Sequence, residues 1–327
     1  MSFRAIVTSD LHVDEEMIKQ GILSKLSVFL EEQRVVHKAN VLIILGDFFH
    51  QHQDPARKTS FGIMDAAADF FHSLEFKKIV LLKGNHDESM IGFHNLKIFS
   101  LDPRVQIIDS PTQFIIGSLK LFFIPFIKDY SHFQSVLSEA PEDSIIMMHQ
   151  TVKGFMLNSK KPADNGVEIT KYFPLVLSGD LHDYQTKGNI IYVGSPYQTR
   201  RNELVEKYMF IMTEDSINTI TVPTSVSQRY IFVEDLEDID SLDLKGKIVV
   251  ITGDEPVDSK KVEELRQKGI KVVSTTTVME SEDMPDPTDL DLSGFSTDVL
   301  QAIVDAARDP YFKQIGEDII SNIRVES

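Results

Sequence analysis

The chain has 327 residues, a formal net charge of −17 at pH 7 and no cysteine. This length allows one large α/β domain with one or two small additions. The lack of cysteine excludes disulfide bonds and thiolate metal ligands. No apolar run reaches the ~20 residues of a membrane helix, and the first residues do not resemble a signal peptide. We therefore expect a cytoplasmic protein without a membrane partner.

The acidic balance also limits the partners that the protein can bind unaided. DNA affinity depends on Lys and Arg displacing counterions from phosphates, so an acidic chain is a poor stand-alone DNA binder. A nucleic acid substrate would need bound divalent metals or a basic partner to offset the charge. The alternative interpretation is that the charge serves solubility alone.

Five short runs rich in β-branched residues predict strands in the first two-thirds of the chain. Their continuous apolar character is typical of a sheet covered on both faces. Apolar residues at helical spacing between Met17 and Leu30, and between Phe61 and Leu74, predict helices between the first three strands. Together they indicate a layered α/β fold. The five runs are FRAIVTS (residues 3–9), VLIILG (41–46), KIVLLKG (78–84), SIIMMH (144–149) and LVLSG (175–179).

The last third of the chain predicts separate parts. After a break near residues 222–225, two strand-like runs, a helix from about Ser259 to Lys268 and a third run make a small β-β-α-β unit. A Pro-, Asp- and Ser-rich stretch is typical of a linker. Two amphipathic helical patterns follow, which either pack on their own chain or dock a partner. The predicted parts are a main domain (1–222), an accessory α+β domain (226–279), an acidic linker (280–297) and a helical tail (298–327).

Each of the five predicted strands ends in residues suited to binding a metal ion. In open α/β folds, ligands bind outside the carboxyl ends of the strands. Glycines before these residues allow the backbone to turn sharply. In chain order, the strand ends carry Asp10 and His12; Asp47 and His50; Asn85, His86 and Asp87; His149; and Asp180 and His182.

The mixture of carboxylate, amide and imidazole groups suits borderline-hard divalent ions such as Mn, Fe or Zn. Two such ions about 3.5–4 Å apart, joined by a bridging ligand, clamp the oxygens of an in-line phosphoryl displacement. Each motif alone is a weak signal, because Asp-x-His pairs and single histidines are frequent in structural roles. All five in this order, each at a strand end, predict one dinuclear site.

The order D-x-H, GD-x-x-H, GNHD, H and G-x-x-H resembles the calcineurin-like metallophosphoesterase superfamily over residues 1 to about 222. The segments GDFFHQHQDPARKT, MMHQ and YVGSPYQTRRNE are similar to the SbcD nucleases, known in eukaryotes as the meiotic-recombination-eleven nuclease. Protein phosphatases of the superfamily usually carry Asp-Arg where this chain has His50 and Gln51. The resemblance implies a layered β-sandwich core flanked by helices, and a DNA nuclease that hydrolyses phosphodiester bonds with two metals.

Carried over residue by residue, the resemblance implies two divalent ions, with Mn²⁺ foremost and Mg²⁺, Fe²⁺ or Zn²⁺ as alternatives. It implies His86 beside the leaving oxygen as acid or charge stabiliser, His50 in positioning DNA, and Asp87 in orienting His86. One ion would be held by Asp10, His12, Asp47 and His182, and the other by Asp47, Asn85, His149 and Asp180, with Asp47 as the bridge.

Residue 180 departs from the family pattern, which has histidine at this position. Asp180 can still ligate, and its negative charge favours harder ions. The competing interpretation is a damaged site, but the remaining motifs are intact.

The resemblance also implies partners. These are double-stranded DNA ends and single strands, an SbcC-like coiled-coil ATPase bound through the C-terminal helices, and a second copy of the chain bound through helices of the first domain. The accessory domain would track duplex DNA during repair and recombination. Many phages encode such pairs, and a phage origin would place the protein in the host-cell cytoplasm. Two alternatives remain open: a phosphatase or small phosphodiesterase of the same superfamily, and a catalytically weakened scaffold that regulates an ATPase.

Several residues near the motifs allow two interpretations. Phe155 and Tyr197 either stack on a base or pack in the core. Basic loop residues either contact the phosphate backbone or belong to a solvated face. The basic candidates are Lys153, Lys160, Lys161, Arg200 and Arg201.

Overall fold

The structure is a computed structural model, and the residues it describes fall into five ranges. The predicted linker and helical tail lie outside them, as do Lys160, Arg200 and Arg201. The described residues are 2–50, 60–88, 94–158, 161–199 and 203–274, the last range with gaps at 204, 228, 234–238, 240–241, 243, 246 and 253–258.

Strands alternate with a smaller number of helices along the described residues. The strands are β1 (Arg4–Thr8), β2 (Val41–Leu45), β3 (Lys78–Leu82), β4 (Val105–Ile108), β5 (Thr112–Ile116), β6 (Leu119–Ile124), β7 (Ile145–His149), β8 (Met156–Asn158), β9 (Lys161–Pro162), β10 (Leu175–Gly179), β11 (Gln185–Lys187), β12 (Ile190–Tyr192), β13 (Tyr208–Thr213), β14 (Ile217–Thr221), β15 (Arg229–Val233), β16 (Lys247–Ile251) and β17 (Lys271–Ser274). The helices are α1 (Glu15–Lys19), α2 (Ile22–His37), α3 (Phe61–His72), a 3₁₀ helix (Asn95–Leu101), α4 (Tyr130–Glu139) and α5 (Ser259–Gln267).

Two six-stranded mixed sheets form the centre of the fold. The first has the order β14-β13-β1-β2-β3-β4, and the second has the order β11-β12-β10-β7-β6-β5. Strands β1 to β4 run parallel to their neighbours, and β13 and β14 close that sheet antiparallel. In the second sheet, β6, β7, β10 and β12 are parallel.

Three apolar clusters hold these layers together. One fills the space between the two sheets, with Val7, Ile43 and Leu82 from the first sheet and Met147 and Leu177 from the second. A second cluster packs helices α1, α2 and α3 against the outer face of the first sheet. A third packs α4 against the outer face of the second. This helix–sheet–sheet–helix arrangement confirms the predicted layered α/β fold.

The topology brings the five predicted strand ends together. Strands β1, β2 and β3 are parallel neighbours in the first sheet, so their carboxyl ends lie at one edge. Strands β7 and β10 are parallel neighbours in the second sheet, with His149 opposite Gly179 in the register. The loops after all five strands therefore meet at one end of the sandwich.

The first predicted helix is interrupted in the structure. Asp14 caps α1, where its side chain accepts a hydrogen bond from the Met17 amide at 2.8 Å. The chain then turns at Gly21, whose φ of 66° lies in the left-handed region, and α2 begins. In the second predicted helix, Phe61 was assigned to the apolar face but is 96% exposed, because it occupies the first residue of α3.

The predicted β-β-α-β unit is present as a small parallel sheet in the order β15-β16-β17, with α5 between its last two strands. Ile231, Val249 and Leu265 belong to its own apolar cluster. The unit is attached to the main domain through Gln198, whose side-chain amide accepts from the Tyr230 amide at 2.7 Å and donates to the Tyr230 carbonyl at 3.1 Å. The Gln198 side chain thus makes the two hydrogen bonds to Tyr230 that a neighbouring strand would make.

Among the helices of the described residues, none combines the length and apolar character needed to cross a bilayer.

Candidate dinuclear metal site

The backbone is unusual at four of the predicted site residues. Asp10, His12, Asp47 and Asp180 have φ angles of 52°, 47°, 50° and 91°, in a region that L-residues seldom occupy. The other non-glycine residue with positive φ in the described parts of the chain is Lys38, which ends α2. Such strain persists where the surrounding structure imposes it, and it concentrates at functional sites.

Backbone hydrogen bonds fix the first two loops against each other. The amide of Asp10 donates to the carbonyl of Gly46 at 3.1 Å, and the amide of His12 donates to the carbonyl of Asp47 at 2.9 Å. The Ser9 hydroxyl donates to the Leu45 carbonyl at 2.8 Å. These bonds hold the side chains of two different motifs in one rigid arrangement.

The third loop approaches so closely that it requires glycine. A Cβ on Gly84 would lie 2.1 Å from Oδ1 and 2.4 Å from the backbone nitrogen of Asp47. The amide of His86 donates to the same Oδ1 of Asp47 at 2.9 Å. The Asp47 carboxylate is therefore clamped by the GNHD loop at the centre of the site.

A first group of possible ligands surrounds His12. Its Nε2 lies 3.0 Å from Nε2 of His182, 3.6 Å from Oδ2 of Asp47 and 4.0 Å from Oδ1 of Asp10. Asp10, His12 and His182 offer ligand atoms that all lie within 4.8 Å of one another. These are members of the first predicted ligand set.

A second group surrounds His149. Its Nε2 lies 2.9 Å from Oδ1 of Asn85, 3.3 Å from Oδ1 of Asp47 and 3.9 Å from Oδ1 of Asp180. Its Nδ1 donates to the Leu45 carbonyl at 2.7 Å, so Nε2 is the ring nitrogen that faces this group. Oδ2 of Asp180 accepts a hydrogen bond from the Thr151 hydroxyl. Asp47 faces both groups, as a bridging ligand must.

The two remaining predicted histidines lie beside the first group. Nδ1 of His50 is 3.1 Å from Nδ1 of His12, and the rings of His50 and His86 stack with centroids 5.6 Å apart. His86 also meets the ring of His12 edge-on at 4.8 Å. His12, His50 and His86 form a further group with metal-ligand spacing. The two imidazoles thus lie directly beside His12 in the first group.

Burial and neighbouring charges shift the pKa values of the central residues. Burial raises the pKa of Asp10 to about 6. Burial also opposes ionisation of Asp47, but the charge of His149 and its hydrogen bond to the carboxylate lower the pKa of Asp47 below its usual range. The pKa of His149 is raised well above its usual value because the nearby carboxylates outweigh its burial.

The donor set fits divalent cations. Buried carboxylates, an amide oxygen and imidazoles with an available ring nitrogen are the ligands of borderline-hard ions. Bound cations are usually the largest local charges in such a site, and they would offset the buried acids. Asp10, His12, Asp47, Asn85, His149, Asp180 and His182 would hold them.

The hydrogen bonds of Asp87 join two backbone loops, whereas the prediction was a contact that orients His86. Its buried carboxylate accepts from the backbone amides of Phe49 at 3.1 Å and Gly84 at 2.9 Å. It thus joins the second and third loops. Burial, reinforced by the negative charge of Asp47, raises the pKa of Asp87 to about 7. Its orienting effect on His86 stays a prediction.

A buried polar network behind His182 was missed from the sequence. Oε1 of Glu203 lies 2.7 Å from Nδ1 of His182, and Oε2 accepts from the ammonium group of Lys207 at 2.7 Å. The Thr199 hydroxyl donates to the same glutamate at 2.5 Å. Lys207 is only 2% exposed and also donates to the His182 carbonyl at 3.0 Å. The sequence offered one signal, since Glu203 closes the YVGSPYQTRRNE segment.

Four of the residues with two interpretations lie in the described parts of the chain. Phe155 and Tyr197 are both buried in the core, and Tyr197 also lines the cavity beside His12 and His50. Lys153 is exposed and pairs with Glu168 at 3.0 Å. Lys161 is exposed in β9.

A sandwich of two mixed sheets with paired acid and histidine groups at its strand ends defines the class of metal-dependent phosphoester hydrolases. The chain belongs to the calcineurin-like phosphoesterase family, whose model matches residues 3–184, more than half of the sequence. The match covers all five motifs and extends just past His182.

Two solved structures are similar to the chain at low sequence identity. One, at 9% identity, has a TM-score of 0.45 and covers 68% of this chain and 100% of its own. Another, described as a novel archaeal phosphodiesterase, has 14% identity and a TM-score of 0.37, and covers 67% of this chain and 99% of its own. No curated protein sequence matches the chain significantly.

Proposed function

We propose that the protein is the metal-dependent DNA nuclease subunit of an SbcCD-like repair and recombination complex. The observation that carries this proposal is the position of His50, 3.1 Å from His12 and stacked on His86 at the edge of the metal groups. Phosphatases of the superfamily carry a different residue pair at this position, so His50 favours a nuclease over a phosphatase. The similarity of the surrounding segment to SbcD supports the same choice.

Two divalent ions, with Mn²⁺ as the first candidate, would supply Lewis-acid polarisation of the phosphate oxygens. The side chains of the protein would hold the ions, position the substrate and supply the proton. Asp47 holds the two ligand groups in a fixed relation, and the GNHD loop holds Asp47. His86 lies beside the first group and would donate a proton to a leaving oxygen or stabilise its charge. His50 would position the strand.

The direct test is cleavage of a labelled DNA hairpin and a labelled duplex with Mn²⁺, with and without the ATPase partner. We expect cleavage by the wild type and a loss of about 10²–10⁴-fold in kcat for His86→Ser, the usual contribution of an acid–base group. His132→Ser is the matched control, because His132 is exposed on α4 away from the site. Failure of the wild type to cut DNA under any divalent cation contradicts the proposal.

The second candidate is a phosphodiesterase acting on small esters. It is favoured by the net charge of −17 and by Asp14 and Glu16, which line a cavity beside His12, because negative charge near the site repels a polyanion. Hydrolysis of nitrophenyl phosphate esters without any DNA cleavage would select this candidate. A protein that binds no metal would instead match the predicted regulatory scaffold.

The partners are part of the same proposal. Residues 298–327 would bind an SbcC-like coiled-coil ATPase, and helix α2 would contribute to a homodimer. Val28, Val35 and Val36 of α2 are 60%, 63% and 69% exposed. A second copy of the chain bound to α2 would cover these apolar side chains. Light scattering tests the dimer with Val28→Glu and Val35→Glu. Co-purification with the ATPase, using a chain that ends at residue 297, tests the tail.

A further inference from the structure

A cavity of about 550 Å³ lies between the candidate metal site and the small parallel sheet. Its volume falls within the range of about 300–1,000 Å³ that is typical of small-molecule sites. His12 and His50 line one side, so the cavity is continuous with the metal groups. Tyr230, Phe232, Val250 and Val273 line the other side.

The wall formed by the small sheet is the face turned away from α5. Side chains alternate along a strand, and Ile231 and Val233 of β15 point into the cluster that packs against α5. Tyr230 and Phe232 therefore lie on the opposite face. Their rings are 6.4 Å apart and tilted by 33°.

The side chains next to Phe232 on the two neighbouring strands continue this apolar face. Phe232 pairs with Val250, and Val250 pairs with Val273 in the register, so the three side chains stand side by side. Both Tyr230 and Phe232 are partly exposed, and Val273 is 50% exposed. The face is therefore open toward the cavity.

The charge of the lining selects the kind of group that fits. Asp14 and Glu16 line the cavity, while none of the described residues that line it is a lysine or arginine. A phosphate would be repelled from this surface, whereas a flat uncharged ring would be accepted between the aromatic side chains. Gln20 and Ser227 supply polar groups for its edge.

We propose that this cavity binds one unpaired nucleobase of the substrate while the adjoining phosphodiester lies at the metal groups. This inference rests on the proposed function and narrows it to nucleotide phosphodiesters whose base at the reacting position is unstacked. A base inside a duplex stack cannot enter the cavity, so a duplex end has to fray before it reacts. Base–aromatic stacking would provide the affinity without regard to sequence.

The first test does not depend on catalysis. Saturation-transfer NMR is recorded with metal-free protein and deoxyadenosine, a probe without phosphate. We expect transfer to the adenine protons with the wild type, and its loss in Tyr230→Ala and in Phe232→Ala. Tyr172→Ala is the control, because Tyr172 is 77% exposed and does not line the cavity. Absence of transfer with the wild type, or equal transfer in all variants, overturns the proposal.

The second test uses cleavage. Two labelled oligonucleotides are compared with Mn²⁺, one with an ordinary terminal nucleotide and one with an abasic terminal residue. We expect the wild type to show about a tenfold lower KM for the first, and Tyr230→Ala to bring the ratio of the two KM values close to one. A wild-type ratio of one overturns the base pocket while leaving the nuclease in place. Deoxyadenosine binding without any cleavage supports the pocket and contradicts the nuclease.

Discussion

Glu203 holds Nδ1 of His182 at 2.7 Å, and Lys207 holds the other oxygen of the same carboxylate at 2.7 Å. With its proton on Nδ1, His182 has the lone pair of Nε2 available, and this is the atom that lies 3.0 Å from Nε2 of His12. The hydrogen bond from His182 and the charge of Lys207 outweigh the burial of Glu203 and lower its pKa below the usual range, so the carboxylate stays ionised.

We predict that Glu203→Gln weakens Mn²⁺ binding by about 10–100-fold, the usual effect of removing such a partner of a ligating histidine. Isothermal titration calorimetry of the metal-free protein measures this without reference to activity. Glu206→Gln is the matched control, because Glu206 is 58% exposed and pairs with Lys247 instead. A folded Glu203→Gln protein with unchanged Mn²⁺ affinity would refute the role.

Asp180 stands where the family pattern has histidine, and substitutions at this position test whether it binds a metal ion. Its carboxylate lies 3.9 Å from Nε2 of His149, and the residue holds a φ of 91°. We predict that Asp180→Ala abolishes Mn²⁺-dependent cleavage and lowers the number of Mn²⁺ ions bound, while Asp180→His keeps both. Cleavage assays and metal analysis of the purified variants measure the two effects. Full activity of the alanine variant would show that Asp180 is no ligand.

Gly84 is required by the close approach of its loop to Asp47. A methyl group there would lie 2.1 Å from Oδ1 of Asp47, so either the loop or the carboxylate must move. We predict that Gly84→Ala lowers the free energy of unfolding by about 1–3 kcal/mol, as overpacking does. We also expect the thermal stabilisation by Mn²⁺ to be reduced.

The control for this change is Gly62→Ala in α3. A Cβ at Gly62 meets its nearest atom at 3.8 Å, which is ordinary contact. Gly62→Ala should leave the free energy of unfolding unchanged or raise it by up to about 1 kcal/mol. Equal stability losses in both variants, measured by urea titration, would remove the steric explanation.

The raised pKa of Asp87 predicts a pH dependence of stability in the metal-free protein. Because burial raises the pKa of the folded carboxyl to about 7, the folded state binds a proton that the unfolded state releases near pH 4. This contribution is complete below about pH 4 and is lost as the pH rises to about 7. Urea unfolding at several pH values should show that the free energy of unfolding falls less steeply with rising pH in Asp87→Asn than in the wild type. An equal dependence on pH in both proteins would contradict the raised pKa of Asp87.

Much of the fold was accessible from local sequence patterns. Continuous β-branched runs identified the strands that end in site motifs, because such runs are typical of strands buried on both faces. Glycines and metal-ligating side chains after those runs predicted one metal site, because parallel strands bring their carboxyl ends to one edge of a sheet. The break of the first helix at Gly21 was missed, since a single glycine is compatible with a helix interior.

The sequence by itself determined the strands that end in the site motifs, the layered α/β class, the family and the acid and histidine residues at those strand ends. Only the tertiary structure decided that Glu203 and Lys207 stand behind His182, that Tyr197 is a core residue, and that Tyr230 and Phe232 face a cavity beside the site. The physical reason is distance along the chain. Periodicity reports which face of an element is buried, whereas contacts between residues far apart in sequence depend on how the sheets pack.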